Sequence, residues 1–346
     1  MSQPRNIGLA HGAGGLLTDR LVRDIFLRHL GNPLLDRLGD SALLPGALLG
    51  AAAAPPGLAF TTDGFVVSPR RFPGGDLGSL AVNGTVNDLA VAGALPRFLS
   101  LSVILEEGLA LEELDELVCS LARAAREAGV QVVTGDTKVV GRGAGDGAFF
   151  VTAGIGPLRP GVPELLPTPQ PGDGILVSGP VGDHGATILA LRSAIDPGPG
   201  LRSDCAAVTP LVDALFAQGI YPAFLRDPTR GGLSSTLSEL AGSSGMTLRL
   251  QEEALPVRRE VEAVSDLLGV DCLHLACEGR VVAVVPAAQV QAALAAWHGL
   301  PAGAGAALIG WIDRQEGGAA RVLLQTRMGG LRVVDRPAAQ PLPRIC

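Results

Sequence analysis

A single lysine, Lys138, stands among 27 basic side chains, and the rest are arginine. The two cations exchange freely on surfaces. A chain that avoids lysine elsewhere retains it where a compact ammonium does what a planar guanidinium cannot, such as resting as a point charge on phosphate. Two residues earlier comes Asp136, one of five aspartates at expected loop or strand-end positions: Asp40, Asp63, Asp88, Asp136 and Asp227. Singly, each reads as a turn residue or a helix cap. Taken with the lone lysine, they read as an oxygen-rich set suited to Mg²⁺ and substrate phosphates. A third feature is the final residue, Cys346. It is not a prenylation box, which needs its cysteine four residues from the end. It is either an accidental terminal thiol or a thiol that carries a group into a pocket.

Other motifs narrow the chemistry. A standard P-loop is excluded because its lysine follows glycine, whereas Lys138 follows Thr137. The run Gly143-Ala144-Gly145-Asp146-Gly147-Ala148 imitates a dinucleotide fingerprint but leads into a strand instead of a helix. The glycine-rich His11-Gly12-Ala13-Gly14-Gly15 could offer backbone amides to phosphate, or could simply be a flexible start. Cys119, Cys205, Cys272 and Cys277 lack the pairing of a zinc site and read as reduced thiols of a cytoplasmic protein.

The elements that must position these residues follow from periodicity. A helical pattern runs from about Thr18 to Leu30. Leu111, Leu114, Leu117, Leu121 and Ala125 mark one face of an amphipathic helix that Gly129 stops. Short apolar runs at Leu58–Thr62, Val130–Thr134 and Phe149–Ala153 read as strands, with Asp63 ending the first and Gly135-Asp136-Thr137-Lys138 at the C-terminal end of the second. A Pro- and Gly-rich linker, Gly156–Gly174, separates this half from a second alternation of strands and helices, opening with a strand at Ile175–Val177 and a helix from about His184. The class is α/β or α+β. From Pro337 the chain has three prolines in ten residues, so an extended arm of roughly 30 Å is expected.

Composition excludes other roles. A net charge of −7, pI ≈ 5.3 and 3% aromatic residues argue against a nucleic-acid surface. The start has no apolar signal segment. The one uncharged window long enough to span a membrane, Ser41–Thr62, is broken by Pro45, Pro55, Pro56 and glycines, and reads as strand, loop, strand.

At this point a resemblance is clear. His11–Gly15, Thr61-Thr62-Asp63, Phe72–Asp76, Asn87-Asp88, Ile104–Gly108, Gly135–Lys138, Gly182–Thr187, Asp227–Gly232 and the terminal Pro343-Arg344-Ile345-Cys346 look, in order and along essentially the whole chain, like the HypE family, the carbamoyl dehydratases of NiFe-hydrogenase maturation. The resemblance implies a two-domain aminoimidazole ribonucleotide synthase-like (PurM-like) fold. Residues 1–157 would bind ATP and pair their sheets into a homodimer barrel, 158–336 would form a C-terminal α/β domain, and 337–346 a flexible tail. It implies ATP against Gly12, Gly14, Gly15, Thr62, Asn87, Thr137, Lys138 and Gly232, with Mg²⁺ on the five aspartates. Catalysis would rest on Lys138, Glu278 and Cys346. HypF would deliver a carbamoyl group to Cys346, and a HypC–HypD scaffold would receive the nitrile. Two departures from the family pattern stand out: Asp40-Ser41 replaces paired aspartates, and Cys277-Glu278-Gly279-Arg280 replaces Asn-Glu-Gly-Lys. Cys277, next to Glu278, could then approach Cys346. Two other readings stay open, a small-molecule phosphoryl transferase and a non-catalytic thiol carrier.

Overall fold

The computed structural model describes residues 15–44, 57–162, 167–313, 319–336 and 344–346. Its first half contains β1 (Ala42–Leu44), β2 (Leu58–Phe65), the short pair β3 (Arg71–Phe72) and β4 (Gly75–Asp76), β5 (Phe98–Glu106), β6 (Gln131–Val140) and β7 (Ala148–Pro157). Five of these form a sheet in the order β1-β2-β7-β5-β6, antiparallel except for the β5–β6 pair. Ahead of the sheet, α1 (Leu16–Leu21) continues through a π-turn into α2 (Arg28–Leu30).

The helix α3 (Leu77–Val91) lies against β2 and β7 and beneath α4 (Leu111–Glu127). Its start is set by a reciprocal cap, with Asp76 accepting from the Ser79 amide at 2.8 Å and the Ser79 hydroxyl accepting from the Asp76 amide at 2.9 Å. Leu77, Leu80, Val82, Val86 and Leu89 are all buried, each contributing about 1.5–3 kcal/mol by leaving water. Packing along its whole length positions the polar residues near its C-terminus, Asn87 and Asp88. The amphipathic α4 buries Leu117, Leu121 and Ala125, as its spacing requires.

One strand runs further than the sequence suggests. β6 continues through Gly135-Asp136-Thr137-Lys138 to Val140 because β5 offers parallel partners as far as Glu106. Gly135 permits this: a Cβ there would lie 2.2 Å from the Leu101 carbonyl oxygen. Similarly, β7 extends to Pro157, into the expected linker. In the uncharged window, β1 and β2 pair with Ala42 opposite Phe60, while residues 45–56 lie outside the described residues. No helix among the described residues is long and apolar enough to cross a membrane.

The second half forms a seven-stranded sheet from β8 (Gly174–Val177), β9 (Phe224–Arg226), β10 (Thr247–Gln251), β11 (Val282–Val285), β12 (Ala307–Asp313), β13 (Val322–Gln325) and β14 (Leu331–Val333). Its middle strands β8 and β11 are buried throughout, which explains their unbroken apolar runs. On one face, Ile175, Val177, Val282 and Val284 meet Leu233, Leu237 and Leu240 of α7 (Gly232–Ser244). On the other, Leu176, Ala283 and Val285 meet α6 (Thr209–Ala217) and Trp297 of α9 (Val290–His298). The helices α5 (Asp183–Arg192) and α8 (Arg259–Leu268) pack on each other and share a core with the first half.

Candidate active site

Four chain segments bring carboxylates to one place. Asp40 comes just before β1, Asp63 from β2, Asp88 from the end of α3, and Asp227 from the residue after β9. Carboxylate oxygens of Asp40, Asp88 and Asp227 all lie within 4.8 Å of one another. The Thr61 hydroxyl sits 2.8 Å from both Asp88 Oδ2 and the Asp40 carbonyl, and the Ser41 hydroxyl donates to the Asp88 carbonyl at 3.1 Å.

Positive charge here is scarce. Arg226 contacts Asp40 at 2.5 Å, and Arg230 reaches Asp63 at 3.7 Å. Burial pushes the acids up: Asp40 to about 6 against the pull of Arg226, Asp227 to about 7 with repulsion from Asp40 added, and Asp88 well above the usual carboxylate range with repulsion from Asp227 and Asp40 added. Burial raises Asp63 as well, against the opposing pull of Arg230. Converging, under-compensated carboxylates of this kind fit a hard divalent cation such as Mg²⁺.

The same cavity, about 220 Å³, is also lined by Thr62, Glu278 and Cys346. Cys346 is only 6% exposed and Ile345 only 2%. The chain end is tied down along its backbone. Val66 N–H donates to the main-chain oxygen of Cys346 at 3.0 Å, and Ser68 N–H donates to the Arg344 carbonyl at 3.3 Å. Arg344 Nε returns a bond to the Val66 carbonyl at 3.0 Å. Buried His184 holds the Ile345 carbonyl at 2.7 Å through Nε2, while its Nδ1 lies 2.8 Å from the Ser203 hydroxyl. Burial lowers the His184 pKa, consistent with a neutral ring that accepts at Nδ1 and donates at Nε2. Glu278 is 1% exposed, and its Oε1 has no hydrogen-bond partner. Burial first, then Asp227 and Asp204, raise its pKa well above the usual range. Burial also pushes the Cys346 thiol up, partly opposed by Arg230.

Both family models that match describe AIR synthase related proteins, the N-terminal domain over residues 45–158 and the C-terminal domain over residues 170–322. The chain is 46% identical to carbamoyl dehydratase HypE of Escherichia coli over 341 residues, covering 99% of both chains. It is 45% identical to the Azotobacter vinelandii HypE over 342 residues, 99% of this chain and 97% of that one. The chain belongs to the HypE family of carbamoyl dehydratases. A crystal structure of HypE in complex with ATP superposes with a TM-score of 0.79 at 43% identity, covering 99% of this chain and 100% of the other. A HypE–HypF complex superposes at 0.81 with 38% identity, covering 92% and 99%. Thiamine monophosphate kinase from Aquifex aeolicus, 16% identical with a TM-score of 0.64 over 93% of this chain and 99% of that one, shares the fold.

Measured against the HypE pattern, the single chain gathers Asp40, Asp63, Asp88, Asp227, Thr62, Glu278 and Cys346. It does not bring Asp136, Thr137 and Lys138 to that cavity. They lie on β6, with Lys138 and Asp136 exposed and paired at 2.7 Å. In register, Gly135 lies three strands from Asp63 through Leu101 and Thr152, about 14 Å at the usual strand spacing. Asn87 is buried and fully engaged, donating to the Glu278 and Ala206 carbonyls and accepting from Val208 N–H. The Gly232 amide is taken by the Thr229 carbonyl at 2.8 Å. Gly15 precedes α1, and Gly12 and Gly14 lie outside the described residues. The departures also find places. Ser41 supports the Asp88 backbone. Cys277 is packed in the second-half core, where its sulfur accepts from Gly182 N–H at 3.1 Å, and it does not line the cavity with Cys346. Arg280 reaches the Pro180 and Ala302 carbonyls.

Sequence reasoning missed Arg230, which lines the cavity with Glu278 and Cys346. One arginine among 26 carries no signal by type, and only its place in Asp227-Pro228-Thr229-Arg230 marks it. His184 was likewise visible only as a member of the Gly182–Thr187 run.

Proposed function

We propose that this chain removes water from a carbamoyl group on its own Cys346, using ATP, and so makes the thiocyanate that supplies cyanide ligands to the iron of a NiFe-hydrogenase. The observation that carries this reading is the seat of the C-terminal thiol, in an acidic cavity beside a buried glutamate whose Oε1 has no hydrogen-bond partner. The HypE–ATP complex among the relatives supports the nucleotide.

Asp40, Asp88 and Asp227 would hold Mg²⁺, with Asp63 alongside. Bound Mg-ATP supplies the phosphoryl group that turns the carbamoyl oxygen into a leaving group. The chain does the rest. Sulfur stays bonded to carbon throughout, so the Ile345 and Cys346 backbone contacts keep the reacting carbon within the cavity and make the step intramolecular. Nitrile formation takes two protons from the nitrogen: one leaves with the departing phosphate, and Glu278, the base in reach of the thiol's surroundings, accepts the other. Its raised pKa suits it to keep a proton once taken. Arg230 lies where negative charge would develop.

β6 is an edge strand with Val132, Val133 and Val139 exposed. This supports a homodimer in which a second copy covers β6 and Lys138 and Asp136 join the nucleotide site. The HypE–HypF complex supports HypF as the donor of the carbamoyl group; a HypC–HypD scaffold would be the acceptor, in the cytoplasm. The chain would divide into an ATP-binding unit at 1–157, an α/β unit at 158–336 and a tail at 337–346. The buried Cys346 favours this reading over a phosphoryl transferase, which needs no thiol, and the carboxylate cluster favours it over a passive carrier.

Intact-mass analysis tests it. After loading with carbamoyl phosphate and the carbamoyltransferase, Mg-ATP should remove the mass of one water from the C-terminal peptide. Cys346→Ala should abolish both loading and loss. Water loss from any other cysteine sinks the assignment.

A further inference from the structure

The carboxylate of Glu278 has no hydrogen bond at Oε1 to aim it, so its direction is set by its backbone and packing. That backbone is gripped from both sides. Asp204 accepts from Glu278 N–H through Oδ1 at 3.1 Å and from Gly279 N–H through Oδ2 at 3.2 Å. Asn87, on the buried helix α3, donates to the Glu278 carbonyl at 3.2 Å. The approach is close enough that a Cβ on Gly279 would lie 1.9 Å from the Asp204 carbonyl oxygen. The residue before Asp204 performs the matching task for the tail, because the Ser203 hydroxyl meets His184, which holds the Ile345 carbonyl. Two adjacent residues therefore reach the two groups that must meet, the thiol-bearing chain end and the glutamate.

We infer that Asp204 is a positioning residue for the reaction: by holding the peptide N–H groups on both sides of Glu278, with Ser203 beside it holding the tail through His184, it sets the register between the Glu278 carboxyl and the group on Cys346. This rests on the dehydration reading above. Asp204 touches neither nucleotide nor carbamoyl group in this account; it acts through Glu278. Two N–H groups converge on its two oxygens, a geometry that an amide side chain cannot match because it has a single acceptor oxygen.

The test is a double-mutant cycle on the full-length protein, following water loss from pre-carbamoylated Cys346 in a single turnover. Asp204→Asn should load Cys346 and bind ATP like wild type, yet dehydrate on the order of 10²-fold more slowly, the scale of a misplacement of about 1 Å. In a Glu278→Gln background the same change should cost nothing further, since its route is already removed. Equal losses in both backgrounds, or wild-type dehydration by Asp204→Asn, would overturn the inference. So would loss of loading and ATP binding in both Asp204→Asn and the smaller change Asp204→Ser, which would make Asp204 scaffold alone. If wild type itself loses no water, the dehydration reading fails instead.

Discussion

The cavity and the β6 strand hold the same kinds of group in opposite circumstances. Asp40, Asp88 and Asp227 sit together, Asp227 buried and the other two half-buried, with raised pKa values and too little positive charge around them. Asp136 and Lys138 sit in water, their charges satisfied by each other, and the bond to Lys138 lowers the Asp136 pKa. An exposed ion pair of this sort stabilises a fold very little. The buried cluster is costly to the fold until a cation arrives. The contrast separates carboxylates that the fold of one chain gathers into a cavity from a pair that it leaves on an exposed sheet edge.

The largest effect that sharpens this contrast is expected inside the cavity. Glu278→Gln should still bind ATP and accept a carbamoyl group, yet lose about 10²–10⁴-fold in nitrile formation, the usual contribution of a positioned base. Rapid-quench mass analysis of the loaded protein measures it. Loss of ATP binding in that variant would shift Glu278 to the metal or the scaffold.

A smaller effect is expected on β6. Lys138→Arg keeps the charge but not the compact head. Dehydration should fall about tenfold, below the ~10²–10³-fold that removing such a donor altogether costs. Wild-type turnover would leave β6 outside the chemistry and break the comparison in favour of a site built by one chain alone.

The smallest effect is on stability. Asp40 and Asp227 titrate near 6 and 7 in the folded chain, against 3.8 when unperturbed. Between about pH 4 and 7 the folded state thus binds more protons than the unfolded one, and stability must fall as pH rises through that window. Metal-free protein should melt at a lower temperature at pH 8 than at pH 5, and Mg²⁺ should restore more at pH 8, where the carboxylates are charged. Differential scanning calorimetry at both pH values, with and without Mg²⁺, checks this. An equal Mg²⁺ effect at pH 5 and 8 would separate the metal from this cluster.

How much of this was legible beforehand varies by element. The α4 face at Leu117, Leu121 and Ala125 could be read because a 3.6-residue period survives in one segment. The apolar run at Ile175–Val177 could be read as a strand, and β8 follows it, for a similar reason. The reach of β6 to Val140 could not be read: β5 supplies its partners, and the contact through Gly135 is set from outside the segment. Cys277 shows the same limit. Its neighbour Glu278 lines the cavity, yet Cys277 turns into the core.

By itself the sequence determined the chemical inventory: aspartates for a hard cation, one lysine kept among arginines, and a thiol at the end of a proline-rich arm. Residue type carries such information because ligand preference and nucleophilicity belong to side chains. Only the tertiary structure decided which of these groups meet. Asp40, Asp88 and Asp227 are brought together by three elements far apart in the chain, Cys346 reaches them through His184 and the Val66–Ser68 backbone, and Lys138 is left on the far edge of the sheet. The physical reason is that proximity and burial, which create the raised pKa values and the buried glutamate, depend on long-range packing that no local spacing encodes.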